Sequence, residues 1–163
     1  MQKLDTLREA LANALPELKR NPENLRIWIE RGSARCQGTT TEAFGFAFQA
    51  NVVIFEMASD IAVMAHAVFR WLRVNQPELL VPGNEGFAFD AEILDNGCAD
   101  VMLQIQLTQN ATVNPAQDSG SHTIEWLPEP DPLFTDGLGL GNANPVPPLA
   151  GVDFAEDVPP WNP

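Results

Sequence analysis

Cationic side chains are scarce in this 163-residue chain: nine Lys and Arg stand against 22 Asp and Glu, a formal charge of -13 at neutral pH. Affinity for phosphate backbones comes mostly from clustered Lys and Arg, so this balance argues against a nucleic-acid grip. Cysteine is scarcer still. Cys36 and Cys98 are too few for a disulfide framework or a metal cluster. A bridge between them stays open, but the plain expectation is two small half-buried thiols in a reducing cell. No uncharged apolar run is long enough to span a bilayer, and the opening MQKLDTLREALANAL carries Lys3, Asp5, Arg8 and Glu9, unlike a secretory leader. The length fits one ordinary domain with a core of its own, and the expectation is a soluble intracellular protein without a membrane partner.

Catalytic signatures are missing as well. There is no G-x-S-x-G, no H-E-x-x-H and no Cys-x-x-Cys. His66 sits between Ala65 and Ala67 on a nearly apolar helix and His122 at the edge of a short strand, so neither has a second His or Cys at metal-ligand spacing. Asp90, Glu92 and Asp95 are close together, but Asp90 and Glu92 fall on the polar face of an alternating strand, where a solvated role is the simpler one. The run GLGLG at residues 137–141 follows no strand, precedes no helix and is surrounded by acids, unlike a phosphate loop. Asn110-Ala111-Thr112 fits a glycosylation pattern that has no use without secretion. No catalytic residue, cofactor or metal is expected.

What the chain does have is charge sorted along its length. Residues 1–35 hold seven of the nine bases against five acids, residues 36–127 hold two bases against eleven acids, and residues 128–163 hold six acids and no base. A basic end and an acidic body on one molecule can attract head to tail, and such contacts close into rings when the rotation allows. Charge alone fits a merely solubilising role equally well.

Periodicity then divides the chain into elements. Leu4, Leu7, Leu11, Leu15 and Leu18 form the stripe of an amphipathic helix over residues 4–20, in which Pro16 is expected to make a kink. NLRIWIERG alternates as a strand, followed by a polar loop SARCQGTTTE. From Phe44, one side carries Phe46, Phe48, Ala50, Val52 and Ile54, while Val53, Phe55 and Met57 make the far end apolar on both faces. Ser59 as N-cap and Asp60 in the first turn would open a helix over residues 61–74, which Asn75, Gln76 and Pro77 stop. Its inner stripe is Ile61, Met64, Ala65, Val68 and Leu72, and Val63, Phe69 and Trp71 lie off that stripe, so the helix should touch more than its own sheet. Two alternating strands follow, with Phe87, Phe89, Ala91 and Ile93 inward in the first and Val101, Leu103, Ile105 and Leu107 inward in the second; DNGC between them reads as a hairpin turn. A polar loop, NATVNPAQDSGS, leads to a last short strand, HTIEWL.

The order helix, strand, strand, helix, strand, strand, strand predicts an α+β fold: a mostly antiparallel sheet of about five strands with two helices on one face, spanning residues 1–127. Residues 128–163 are dense in Pro and Gly and have neither period, so an extended C-terminal arm is expected. Leu133, Phe134, Phe154 and Trp161 are large apolar residues that a purely solvating tail rarely carries, which points to an arm lying along a surface, its own or a partner's.

Several blocks together resemble a known family. FRWLRVNQPEL, NVVIFEMASD, NPENLRIWIERGS and GFAFDAEILDN, and the step from HTIEWL into PEPDP, are similar in order and spacing to the phage tail completion protein R (GpR) family of contractile-tailed myophages, from the first helix to about residue 130. Its strongest block is Trp71-Leu72-Arg73 followed by Asn75-Gln76-Pro77-Glu78. The resemblance implies a structural assembly protein akin to tail terminators, which form a ring, typically of six copies, on the head-proximal end of the tail tube and sheath. Its partners would be its own copies, tube and sheath proteins and a neck or head-completion protein. DNA would pass through the lumen at most, without specific binding, past acids of residues 36–127. The implied location is a virion tail or tail-like particle assembled in the host cytoplasm. Candidate interface residues are Arg26, Arg31 and Arg35 from the basic end, Phe69 and Trp71 from the second helix, and Phe134, Phe154 and Trp161 from the arm. Trp71 has a plainer alternative role as a core aromatic. A monomeric acidic adaptor with a single assembly partner is the alternative reading of the whole chain.

Overall fold

The computed structural model describes residues 1–36, 38, 42–115 and 121–129. Its elements are α1 (Gln2–Ala14), α2 (Pro16–Arg20), β1 (Leu25–Cys36), β2 (Phe44–Met57), α3 (Ile61–Asn75), β3 (Ala88–Ile93), β4 (Ala99–Pro115) and β5 (His122–Trp126), with single 3-10 turns at Pro22–Asn24 and Pro77–Leu80. All strand pairings are antiparallel, in the order β1-β2-β4-β3, and β5 also pairs with β4. The α+β architecture read from the periodicity is therefore the one the chain adopts.

One face of the sheet is the core. Leu7, Leu11 and Leu18 from the first two helices, Leu15 between them, and Met64, Val68 and Leu72 from α3 close over Leu25, Ala50, Val52, Ile54, Val101, Leu103, Ile105 and Leu107. Pro16 breaks the first helix, where a kink was expected. A residue before proline is pushed out of the helical region, and Leu15 is extended, at φ -108 and ψ 107. The leucine stripe survives because Leu15 and Leu18 still point into the same core.

Two strands run further than their polarity indicated. β1 continues through SARC to Cys36, past a register shift between Ile29 and Arg31, and β4 continues through Asn110 to Pro115. Gly32, Ala34 and Cys36 pair with Phe48, Phe46 and Phe44, so each extension is held by partners distant in sequence. Between β3 and β4 the expected hairpin is present. Gly97 has φ +80, and the Asn96 side chain accepts from the Cys98 N–H at 3.0 Å.

Lengths explain what stays uncovered. Seventeen strand residues at roughly 3.4 Å each give β4 a span of about 58 Å, whereas fifteen helical residues at about 1.5 Å give α3 only about 22 Å. The helices therefore cover part of the sheet. Phe89 and Ile93 lie on the same face as Leu103 and Val101, as their alternation required, yet they are 53% and 78% exposed. The expectation that they point inward holds for direction and fails for burial.

Candidate assembly surfaces

Helix α3 ends where the sheet needs it to end. β3 and β5 lie end to end along one edge of β4: Leu103 pairs with Phe89 and Ala111 with Trp126, while β2 occupies the opposite edge. Between Gln104, the last residue paired with β3, and Asn110, whose carbonyl accepts from Leu127 N–H at 2.9 Å, the β4 edge has no strand beside it among the described residues. Gln76 fills that place. Its Oε1 accepts from the Thr108 backbone N–H at 3.1 Å, and its Nε2 donates to Thr108 Oγ1 at 2.9 Å. A side-chain amide has the donor and acceptor of a peptide group, so it can stand in for a missing strand residue.

The same glutamine, fully buried, gathers charge. Lys3 Nζ donates to Gln76 Oε1 at 2.8 Å and to Glu129, and Gln76 Nε2 also donates to Glu78. Burial pushes the Lys3 ammonium below its ordinary pKa, against the opposing pull of Glu129 and Glu78. Lys3, Gln76 and Glu129 thereby tie the start of α1, the end of α3 and the last described residue of the chain to one spot on the sheet. At the other end of the fold, Glu17 accepts from the Ser59 N–H at 3.0 Å, Ser59 Oγ at 2.9 Å and Ala58 N–H at 3.2 Å. Burial alone would raise its pKa; the hydrogen bonds from its own backbone, Ser59 and Ala58 outweigh that and hold it below the ordinary range. Ser59 is thus occupied by Glu17, and Asp60 is the N-cap of α3, accepting from the Ala62 N–H at 2.7 Å.

Trp71 is 6% exposed, and its indole N–H donates to Thr6 Oγ1 at 3.0 Å. It lies in the core of the single chain, the plainer of its two candidate roles. Phe69 is exposed on the neighbouring face of α3 and packs on Phe87, ring centroids 5.0 Å apart. Arg26, Arg31 and Arg35 are all exposed on β1, and Arg26 lies over the Phe55 ring at 5.4 Å. Phe134, Phe154 and Trp161 lie outside the described residues.

The two ends of the strand order differ in charge. β1, at one end, carries the three arginines. β3, at the other, carries Asp90 and Glu92, with Asp100 opposite Glu92 on β4, beside the exposed Phe89 and Ile93. Among the described residues no group of His, Cys, Asp and Glu could hold a metal ion, and no helix is long and apolar enough to cross a membrane. Cys36 and Cys98 are both free thiols. Gln76, Lys3, Glu129 and Glu17 were assigned no contact with one another or with the sheet from the sequence. The only hint was the helix stop at Asn75-Gln76-Pro77, which shows that the chain turns without showing what the glutamine reaches.

The family model described as P2 phage tail completion protein R (GpR) matches residues 1–130. Tail completion protein R of Escherichia phage P2 is 31% identical over 138 residues, covering 82% of this chain and 88% of that protein. No solved structure matches the chain. With the family model spanning the whole described body, the chain belongs to the phage tail completion protein R family, as a structural component of the virion tail and not an enzyme.

Proposed function

We propose that the chain completes a contractile tail by forming a closed ring, six copies being the expected number, that caps the head-proximal end of tube and sheath and offers a surface to the neck. The observation that carries this reading is the pair of oppositely charged sheet edges, basic at Arg26, Arg31 and Arg35 and acidic at Asp90 and Glu92. Opposite edges on one molecule favour head-to-tail contacts, the kind that generates rings. Trp28 at 41% exposure beside the arginines and Ile93 at 78% beside the acids give each edge apolar area to bury, where a desolvated charge pair gains strength. Phe69 extends the apolar area on the helical side.

In this proposal residues 1–127 are the ring body and residues 128–163 an acidic arm. The distal aromatic residues Phe154 and Trp161 reach the sheath or an adjacent subunit, and the acids of the body keep DNA from sticking to the bore. Particle masses from mass photometry, for the chain alone and mixed with tail tubes, test the ring. A discrete closed oligomer in at least one setting is expected, and monomer in both refutes it and favours the single-partner adaptor. Reversing Arg26, Arg31 and Arg35 to Glu should weaken association, and the loss should shrink at high salt, where exposed charges are screened.

A further inference from the structure

Past the N-terminal end of α1 the core face of the sheet continues, and among the described residues no helix lies above it. A groove of about 320 Å³ lies there, with Met1, Ile29, Ala34, Phe46, Phe48 and Trp126 among the residues lining it. Its surface is almost wholly apolar, and Phe46 and Trp126 form its aromatic wall, ring centroids 6.1 Å apart. Exposed Ile29 and Met1 sit at its rim. Next to Phe46 in the β2-β4 register is Gln109, 2% exposed, whose Oε1 has no donor among the described residues. A buried acceptor without a partner costs about 1–3 kcal/mol, so this end of the face is short of one N–H as well as of apolar cover.

We propose that the chain's own segment 131–134, Asp131-Pro132-Leu133-Phe134, occupies this groove, with Leu133 and Phe134 against Phe46 and Trp126 and a backbone N–H of the segment directed to Gln109. Three observations select this occupant. The chain leaves β5 at Trp126, itself part of the groove wall, and is fastened three residues later by Glu129 to Lys3, which is two residues from Met1 at the rim. From Glu129 to Phe134 is five residues, at most about 17 Å of extended chain, so the first large apolar pair of the arm falls within reach without strain. The residues between are Pro130, Asp131 and Pro132, and prolines hold an extended course at little entropic cost.

The consequence concerns the arm beyond the groove. Seated at residues 131–134, it departs from a fixed place on the body, so that Phe154 and Trp161 search a limited volume for whatever they bind. This placement does not depend on the ring and holds equally for a monomer.

The test is a cysteine pair in the full chain, Ala34→Cys with Phe134→Cys, in a background of Cys36→Ser and Cys98→Ser. Mild oxidation of dilute protein should give an intrachain disulfide at least tenfold faster than the control pair Ala34→Cys with Phe154→Cys. A link between chains would assign the groove to the arm of another copy, and equal rates for the two pairs would mean a freely moving tail; either result overturns the proposal. Independently, Leu133→Ser with Phe134→Ser should raise amide hydrogen exchange about tenfold at residues 32–35 and 45–48 while residues 101–107 stay protected. Unchanged exchange at 32–35 and 45–48 also overturns it, and if the double serine chain fails to fold the cysteine pair alone decides.

Discussion

Replacing Gln76 with leucine removes four side-chain hydrogen bonds while keeping the volume similar, so it isolates the glutamine's role as a stand-in for a strand residue. The Thr108 N–H loses its acceptor, a cost of about 1–3 kcal/mol for a buried donor. Lys3 keeps Glu129 but loses its contact with Oε1, a charge-assisted bond worth about 1.5–3 kcal/mol. Glu78 and Thr108 Oγ1 can turn toward water and contribute little. The added apolar burial of leucine returns about 1 kcal/mol, which leaves a net loss of roughly 3 kcal/mol. For a chain of this size that is a fall in melting temperature of about 9 °C, at roughly 3 °C per kcal/mol. Gln76→Glu retains an acceptor for Lys3 and for Thr108 but sets a second carboxylate beside Glu78, so its loss should be intermediate. Gln106→Leu, on the exposed face of the same strand, should stay within about 0.5 kcal/mol. Thermal unfolding followed by circular dichroism and fluorescence, checked for coincident transitions, gives the three values. A Gln76→Leu midpoint shift of under about 3 °C, or one no larger than that of Gln106→Leu, refutes the account.

Glu17→Gln should destabilise by roughly 0.5–1 kcal/mol at neutral pH, discounted for solvent screening. Because the Glu17 carboxyl is held below its ordinary pKa, its contribution is fully present above the ordinary carboxylate range. It is lost as pH falls through that lowered value, so wild type and variant should converge on acidification; a gap that stays constant to low pH would show that the Ser59 contact carries no charge-dependent stability. Trp71→Phe, which loses the bond to Thr6 and leaves a small void, should cost about 1–2 kcal/mol and leave the assembled particle mass unchanged. Normal stability with altered mass would instead put Trp71 at a subunit contact.

How far the fold could be read depended on the range over which each element is decided. The span of α3 follows from local period and from the stop at Pro77, and the inward set Val101, Leu103, Ile105 and Leu107 from strict alternation; both match the structure. SARC and NATVNP looked like loops because their residues are polar or small. They are strands because Phe44, Phe46 and Phe48 on β2 and the residues of β5 pair with them, and no local window contains those partners. Asp60 and Ser59 are equally good caps by type; Glu17, 42 residues earlier, takes the serine and leaves the aspartate to the helix.

The sequence by itself determined the α+β class, the order of its elements, the absence of catalytic signatures, the sorting of charge and the family resemblance, since period, composition and block spacing are properties of neighbours along the chain. Tertiary structure alone decided that Gln76 completes the sheet edge, that Lys3 fastens Glu129, and that Phe89 and Ile93 face inward yet remain exposed. Those outcomes turn on which distant groups meet and on short helices covering only part of a long sheet. Burial is a property of that meeting in space, and a linear pattern gives the direction of a side chain without giving what lies above it.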